Sequence, residues 1–237
     1  MAELVYPPVI AGLRAGFAAL GLKIRVHGVH HIPRSGGSVL ASNHVSYLDF
    51  IFVGFAARES HRLVRFMAKD SVFEHKVSGP LMRGMKHIPV DRHAGAASYA
   101  QALRMLKSGE VVGVFPEATM SRSLEPKEFK TGAVRLARAT KTPLVPVAVW
   151  GTQRLWSYDE RSTMKQRGVP VEICVGAPVD PSGDQDDATA RLRAAVVDLV
   201  DQARAGYPDD GTGQWWQPAR LGGTAPAVPA VPDGQAD

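Results

Sequence analysis

The feature that most constrains the fold is a rhythm of seven short runs rich in Val, Ile and Leu, separated by helix-patterned or turn-rich segments. The runs are KIRVHG from Lys23, SVLAS from Ser38, LVRFMA from Leu63, KHIPV from Lys86, VVGVF from Val111, PLVPVAVWGT from Pro143 and VPVEICVG from Val169. Helical spacing fills the gaps. It predicts helices over residues 47–57, in short stretches around SVFEH and SGPLMRG, between Gly95 and Gly109 with Tyr99, Leu103 and Leu106 on one face, and over 187–205 with Leu192, Val196, Leu199 and Ala203 aligned. Strands alternating with helices read as an α/β fold: a mixed, largely parallel sheet flanked by helices.

The 237 residues, 45% of them hydrophobic, suit one core domain over 22–207. Ahead of it, residues 1–21 form an N-terminal helix that is apolar apart from Arg14, with Ile10, Leu13, Phe17 and Leu20 on one face. Two readings of that helix stand: it lies on a bilayer as a membrane-associating helix with Arg14 snorkelling, or it packs on the core. No apolar stretch reaches the roughly 18–20 residues of a spanning helix, and no leader pattern opens the chain, so neither secretion nor a true span is expected. Residues 208–237, rich in Pro, Gly, Ala and Asp, read as a mostly disordered tail in which Trp215 and Trp216 could dock on the domain or on a membrane.

The formal net charge of +5 favours anionic partners. Nucleic acid is excluded, because no aromatic-basic interleaving or zinc spacing accompanies the charge. A basic run, Lys127, Lys130, Arg135, Arg138 and Lys141, falls largely on one predicted helix. No metal is expected, since His27, His30 and His31 have no cysteine near them; the single Cys174 lies in an apolar run and reads as buried.

Between two apolar runs stands Asn43 to Asp49, NHVSYLD. One reading makes His44 a general base and Asp49 the carboxylate that fixes its tautomer; the other makes them a helix cap and a solvated acid. Geometry limits the first. Five residues turn a helix through ~500°, leaving the two side chains ~140° apart on a regular helix. To touch, His44 must precede the helix and Asp49 must occupy its first turn.

Three further segments accompany NHVSYLD in order: GMKHIPVDR at 84–92, FPEATMS at 115–121 and LVPVAVWGT at 144–152. The set resembles the four blocks of the glycerolipid acyltransferases, the 1-acyl-sn-glycerol-3-phosphate acyltransferases. The resemblance implies an O-acyltransferase of phospholipid biosynthesis with 22–207 as its acyltransferase domain. It would transfer a fatty acyl chain from an acyl-CoA or acyl-carrier-protein thioester to the sn-2 hydroxyl of lysophosphatidate or a related lysophospholipid. No cofactor is implied beyond the thioester co-substrate; the partners are that donor, the lysophospholipid acceptor and a membrane surface, and the expected location is the cytoplasmic face of the cell membrane, peripheral or monotopic. His44 and Asp49 would be catalytic. Arg92 and the third block, with Glu117, Thr119, Arg122 and Lys130, would hold the acceptor and its phosphate, Glu117 either binding acceptor hydroxyls or bracing the loop. Phe115, Pro116, Val145, Pro146 and Val147 would shape or support the acyl site. One departure stands out. The family form FPEGTRS has Gly and Arg where this chain has Ala118 and Met120, so an expected guanidinium is missing. A different acceptor, or a non-catalytic lipid-binding homologue, is the alternative that this departure leaves open.

Overall fold

A computed structural model describes residues 3–91 and 95–227. Seven strands form one sheet: β1 Lys23–His27, β2 Ser38–Ser42, β3 Val64–Lys69, β4 Ile88–Val90, β5 Val111–Val114, β6 Leu144–Trp150 and β7 Pro170–Val175, in the order β1-β7-β6-β2-β5-β3-β4. Every pairing is parallel except β6 with β7, where Ala148 faces Cys174 in antiparallel register. The sheet is mixed and largely parallel, as the sequence rhythm indicates.

Strands β2, β5, β6 and β7 are buried on both faces, which is why they read as nearly continuous apolar runs, whereas edge strand β1 alternates exposed and half-buried positions. Alternate residues go to opposite cores. Val39 and Ala41 of β2 and Leu144, Ala148 and Trp150 of β6 join one core, with helices α5 (Gly95–Lys107), α6 (Gly132–Thr140) and α7 (Gln185–Ala205). Leu40 of β2 and Val145, Val147 and Val149 of β6 join the other, with α1 (Tyr6–Ala19) and α2 (Asp49–Glu59).

Helix α1 turns its apolar stripe inward. Phe17 stacks on Phe52 of α2 with centroids 4.9 Å apart, and the outward positions are Pro7, Pro8, Ala11, Gly12, Arg14, Ala15, Gly16, Ala18 and Ala19. The start of the chain is tied down as well, because Glu3 pairs with the buried Arg65 of β3 at 2.7 Å and with Lys86 at 2.6 Å. Among the described residues no helix is long and apolar enough to cross a membrane.

Three expectations change. Residues 208–227 fold onto the domain instead of forming a disordered tail: Trp216 is buried, its ring lies 5.6 Å from Tyr207, and its carbonyl accepts from Gln153 Nε2 at 3.1 Å. Residues 228–237 lie outside the described residues. The basic run does not share one helix, since α6 carries only Arg135 and Arg138, while Lys127 and Lys130 precede it in a loop and Lys141 follows it with φ +54°. Helix α7 starts at Gln185, two residues early, because Asp184 accepts the Asp186 and Asp187 N–H groups at 2.8 and 3.1 Å.

Candidate active site

The site assembles at the carboxyl ends of three adjacent strands, where parallel α/β sheets place their ligands. Strand β2 lies between β6 and β5, so the residues following each of the three converge. After β2 come Asn43 and His44; after β5, Phe115 to Ser121; after β6, Gly151 and Thr152. The second block is different, because β4 is the far edge strand and Arg92 lies outside the described residues.

Asn43 sets the first residue of the site in place. Its buried carboxamide accepts from Val149 N at 2.8 Å and donates to Val149 O at 3.0 Å, extending the β2–β6 ladder by one step with a side chain. The chain then turns. Ser46 Oγ accepts from Leu48 N at 3.1 Å and donates to Trp156 O at 2.6 Å, and α2 begins at Asp49 rather than at residue 47. As the spacing required, His44 stands in the loop and Asp49 in the first turn.

Asp49 is fully buried and surrounded by donors. Its Oδ2 accepts from Val45 N at 2.7 Å, Ser46 N at 2.8 Å and His44 Nδ1 at 2.9 Å, and its Oδ1 accepts from Thr152 Oγ1 at 2.6 Å. Because the carboxylate can only accept, His44 Nδ1 donates to it, and in the neutral tautomer this bond selects, the lone pair is on Nε2. The Phe115 ring stacks on the imidazole at 4.3 Å and 21°, fixing its plane. What results is an imidazole of fixed orientation that remains partly open to solvent, the arrangement general-base chemistry requires.

Glu117 supports this arrangement from below. It is buried, with Oε1 accepting from His44 N at 2.8 Å and Oε2 from Lys127 N at 3.2 Å. Burial raises its pKa to about 7 against the lowering effect of both backbone donors and of the nearby His44 and Lys127. Both oxygens hold backbone N–H groups, so Glu117 ties the His44 turn to the loop around Lys127. Ser121 N to His44 O at 2.7 Å and Lys130 N to Pro116 O at 2.8 Å lock the same loop.

Of the third-block residues expected at the phosphate, Thr119, Arg122 and Lys130 are exposed at the rim. Thr119 Oγ1 accepts from Lys127 Nζ, and the Arg122 guanidinium lies 4.9 Å over the Tyr158 ring. Met120 is 5% exposed, so the position where the family form carries Arg points into the protein. Ala118 holds φ +61°, a conformation in which glycine is at ease and alanine is strained.

An apolar cavity of about 400 Å³ lies between α1, α2, β3 and α4 (Ser78–Gly84), with Phe17, Phe50, Phe66 and His87 among its walls. Phe66 connects it to the base, since its ring stacks on Phe115 at 6.0 Å, and Gly113 is the residue beneath it because a Cβ there would stand 2.4 Å from the ring. His87 contributes no charge: its Nδ1 accepts from Phe66 N at 3.0 Å, and burial, then Arg65, lower its pKa to about 4. Val145, Pro146 and Val147 are buried in β6 and do not line this cavity.

The family model named Acyltransferase matches residues 23–150, more than half of the chain and all of the strands that carry the dyad. The chain belongs to the acyltransferase family. The 1-acyl-sn-glycerol-3-phosphate acyltransferase of Bacillus subtilis (strain 168) is 34% identical over 195 residues, covering 82% of this acyltransferase and 89% of that protein. The enzyme of the same name from Borreliella burgdorferi is 28% identical, over 75% and 71% of the two chains. The crystal structure of the 1-acyl-sn-glycerophosphate acyltransferase of Thermotoga maritima has the same fold, with a TM-score of 0.67 at 24% identity over 84% of this chain and 78% of that one.

Helix α7 and the C-terminal segment lie outside the matched family residues, yet they hold the third-block loop of this acyltransferase. Arg193 donates to Lys127 O at 2.8 Å and Pro126 O at 3.0 Å. Arg204 donates to Leu124 O at 2.6 Å and Glu125 at 3.0 Å, and Arg220 bonds Glu125 at 2.6 Å. Asn43, Ser46, Thr152 and this arginine set were not singled out in the sequence. The one available signal was polar residues next to apolar runs.

Proposed function

We propose that this acyltransferase moves a fatty acyl chain from an acyl-CoA or acyl-carrier-protein thioester to the sn-2 hydroxyl of lysophosphatidate or a close relative, at the cytoplasmic face of a membrane. The observation that carries the reading is the dyad, with Nε2 of His44 left as the only free ring nitrogen of an imidazole locked by Asp49. Nε2 takes the proton of the acceptor hydroxyl as its oxygen attacks the thioester carbonyl carbon. The tetrahedral intermediate collapses, the C–S bond breaks, and the thiolate receives the proton from the imidazolium, leaving ester and free thiol. No acyl-enzyme is required.

The names of the relatives support a lysophosphatidate acceptor. The apolar cavity supports a long acyl chain, whose thioester end would meet Phe115 and His44. With Met120 buried, the acceptor phosphate falls to the exposed rim cations Lys130, Arg122 and the Thr119-bound Lys127. Arg92 of the second block completes the family's phosphate set in this reading.

Thiol release from acyl-CoA and acyl-carrier protein, measured with lysophosphatidate, other lysophospholipids and glycerol 3-phosphate, tests the proposal. Release should depend on acceptor and be fastest with lysophosphatidate; equal release with every acceptor, or none, overturns it.

A further inference from the structure

Beside the dyad the protein exposes a group of large aromatic side chains that neither the mechanism nor the core uses. Tyr47, Trp156 and Tyr158 are 42%, 53% and 46% exposed, and their rings touch, with Tyr47 centred 5.4 Å from Trp156 and 5.6 Å from Tyr158. Met164 of the same loop is exposed as well. Isolated exposed apolar side chains are ordinary, whereas a contiguous cluster of rings marks a surface that is covered in use.

Cations surround the rings. The Arg122 guanidinium lies over Tyr158, and Arg161, Lys165 and Arg167 are exposed along the loop, against Asp159, which Arg161 pairs at 2.6 Å, and Glu160. The loop is fixed at both ends. Trp156 O accepts from Tyr47 N at 3.0 Å and from Ser46 Oγ at 2.6 Å, tying it to the turn that carries His44. Gly168 N donates to Leu20 O at 2.9 Å and Arg167 to Ala19 O, tying it to the end of α1. A rigid platform of Trp and Tyr rimmed by Arg and Lys matches the two layers of an anionic bilayer surface, headgroup phosphate for the cations and the interfacial zone for the amphipathic rings.

We propose that Tyr47, Trp156 and Tyr158, with their surrounding cations, are the surface by which this acyltransferase docks on an anionic lipid bilayer. Docking through this loop sets the His44 turn and the α1 end of the cavity against the lipid, so an acceptor need not leave the membrane to reach the base. The inference rests on the reading that the acceptor is a membrane lipid.

The test uses the full chain and vesicles of phosphatidylcholine with or without phosphatidylglycerol. The wild type should sediment with the anionic vesicles, and the Trp156→Ser/Tyr158→Ser double variant should bind them about tenfold or more weakly, the loss expected when two half-exposed rings no longer enter the interface. In a Trp215→Phe background, which removes the one other partly exposed indole, brominated lipid in the same vesicles should quench tryptophan emission, and the further change Trp156→Phe should nearly abolish that quenching although the protein still binds, because the remaining Trp150 and Trp216 are buried. Thiol release with a short-chain, monodisperse lysophosphatidate should be unchanged in the single variant Trp156→Ser, which leaves Arg122 its Tyr158 ring. If wild type shows no release in that assay, the functional reading fails while docking stands on the vesicle data. Undiminished sedimentation of the double variant, absence of quenching, or loss of binding to an acidic carrier protein or to a second copy with vesicle binding intact overturns the docking surface.

Discussion

Asp49 and Glu117 divide the work on His44: one orients the ring and the other fixes the backbone. In Asp49→Asn the amide oxygen can take over the contacts of Oδ2, and the Thr152 hydroxyl can reverse to accept from the new NH₂ group. Orientation then survives while the charge that stabilises the imidazolium is lost, so kcat should fall about 10²–10⁴-fold in a protein with near-native circular dichroism. Glu117 makes a separate prediction in pH. Its pKa is raised to about 7, so the carboxyl gains a proton as pH falls through that value, and the proton displaces an acceptor from His44 N or Lys127 N. Activity should carry an acid limb to which this titration contributes. Glu117→Gln cannot titrate, and its kcat/KM against pH should show a shallower limb on a lower plateau; an unchanged limb assigns the titration elsewhere.

At the scale of elements, the central strands were legible because they are buried on both faces and β1 because it alternates, and seven runs became seven strands. The placement of His44 before α2 and Asp49 within its first turn was legible too, since helical geometry left no other way for them to meet. Asn43 and Thr152 were not. Their partners, Val149 and Asp49, lie 106 and 103 residues away, and no local pattern encodes a contact that exists only after β2 and β6 pair. The cavity was illegible for the same reason, being closed by α1, α2, β3 and α4 together. It makes its own prediction. Gly54 of α2 lines the wall, and its added Cβ meets nothing nearer than Phe66 at 3.7 Å, so Gly54→Leu should fold and fill space. Measured over a series of acyl-CoA lengths, the variant should shift its preference to shorter chains by several methylenes, with activity on short donors retained.

For the whole molecule, the family blocks carry the residues proposed for the chemistry, and the segment after them ties the third-block loop in place. The tail read as disordered because it is rich in Pro, Gly, Ala and Asp and has no periodicity; what orders residues 208–227 is a few anchors, Trp216 beneath the Arg154 guanidinium at 4.7 Å and Arg220 on Glu125 and Asp201. Those anchors and α7 reach the third-block loop, and Lys127 passes the constraint to Glu117. Arg193 is the member whose loss the fold should tolerate, being half-buried at the surface of α7. Arg193→Ala should raise the KM for the acceptor about tenfold with a smaller change in kcat, and Arg193→Lys, which can keep one of the two carbonyl contacts, should recover part of the loss.

In the proposed mechanism His44 Nε2 is the base. The most direct measurement is kcat for thiol release by His44→Ala with acyl-CoA and lysophosphatidate, in protein shown to be folded by its melting transition. The predicted result is a fall of about 10³-fold or more; activity near that of the wild type would contradict the mechanism.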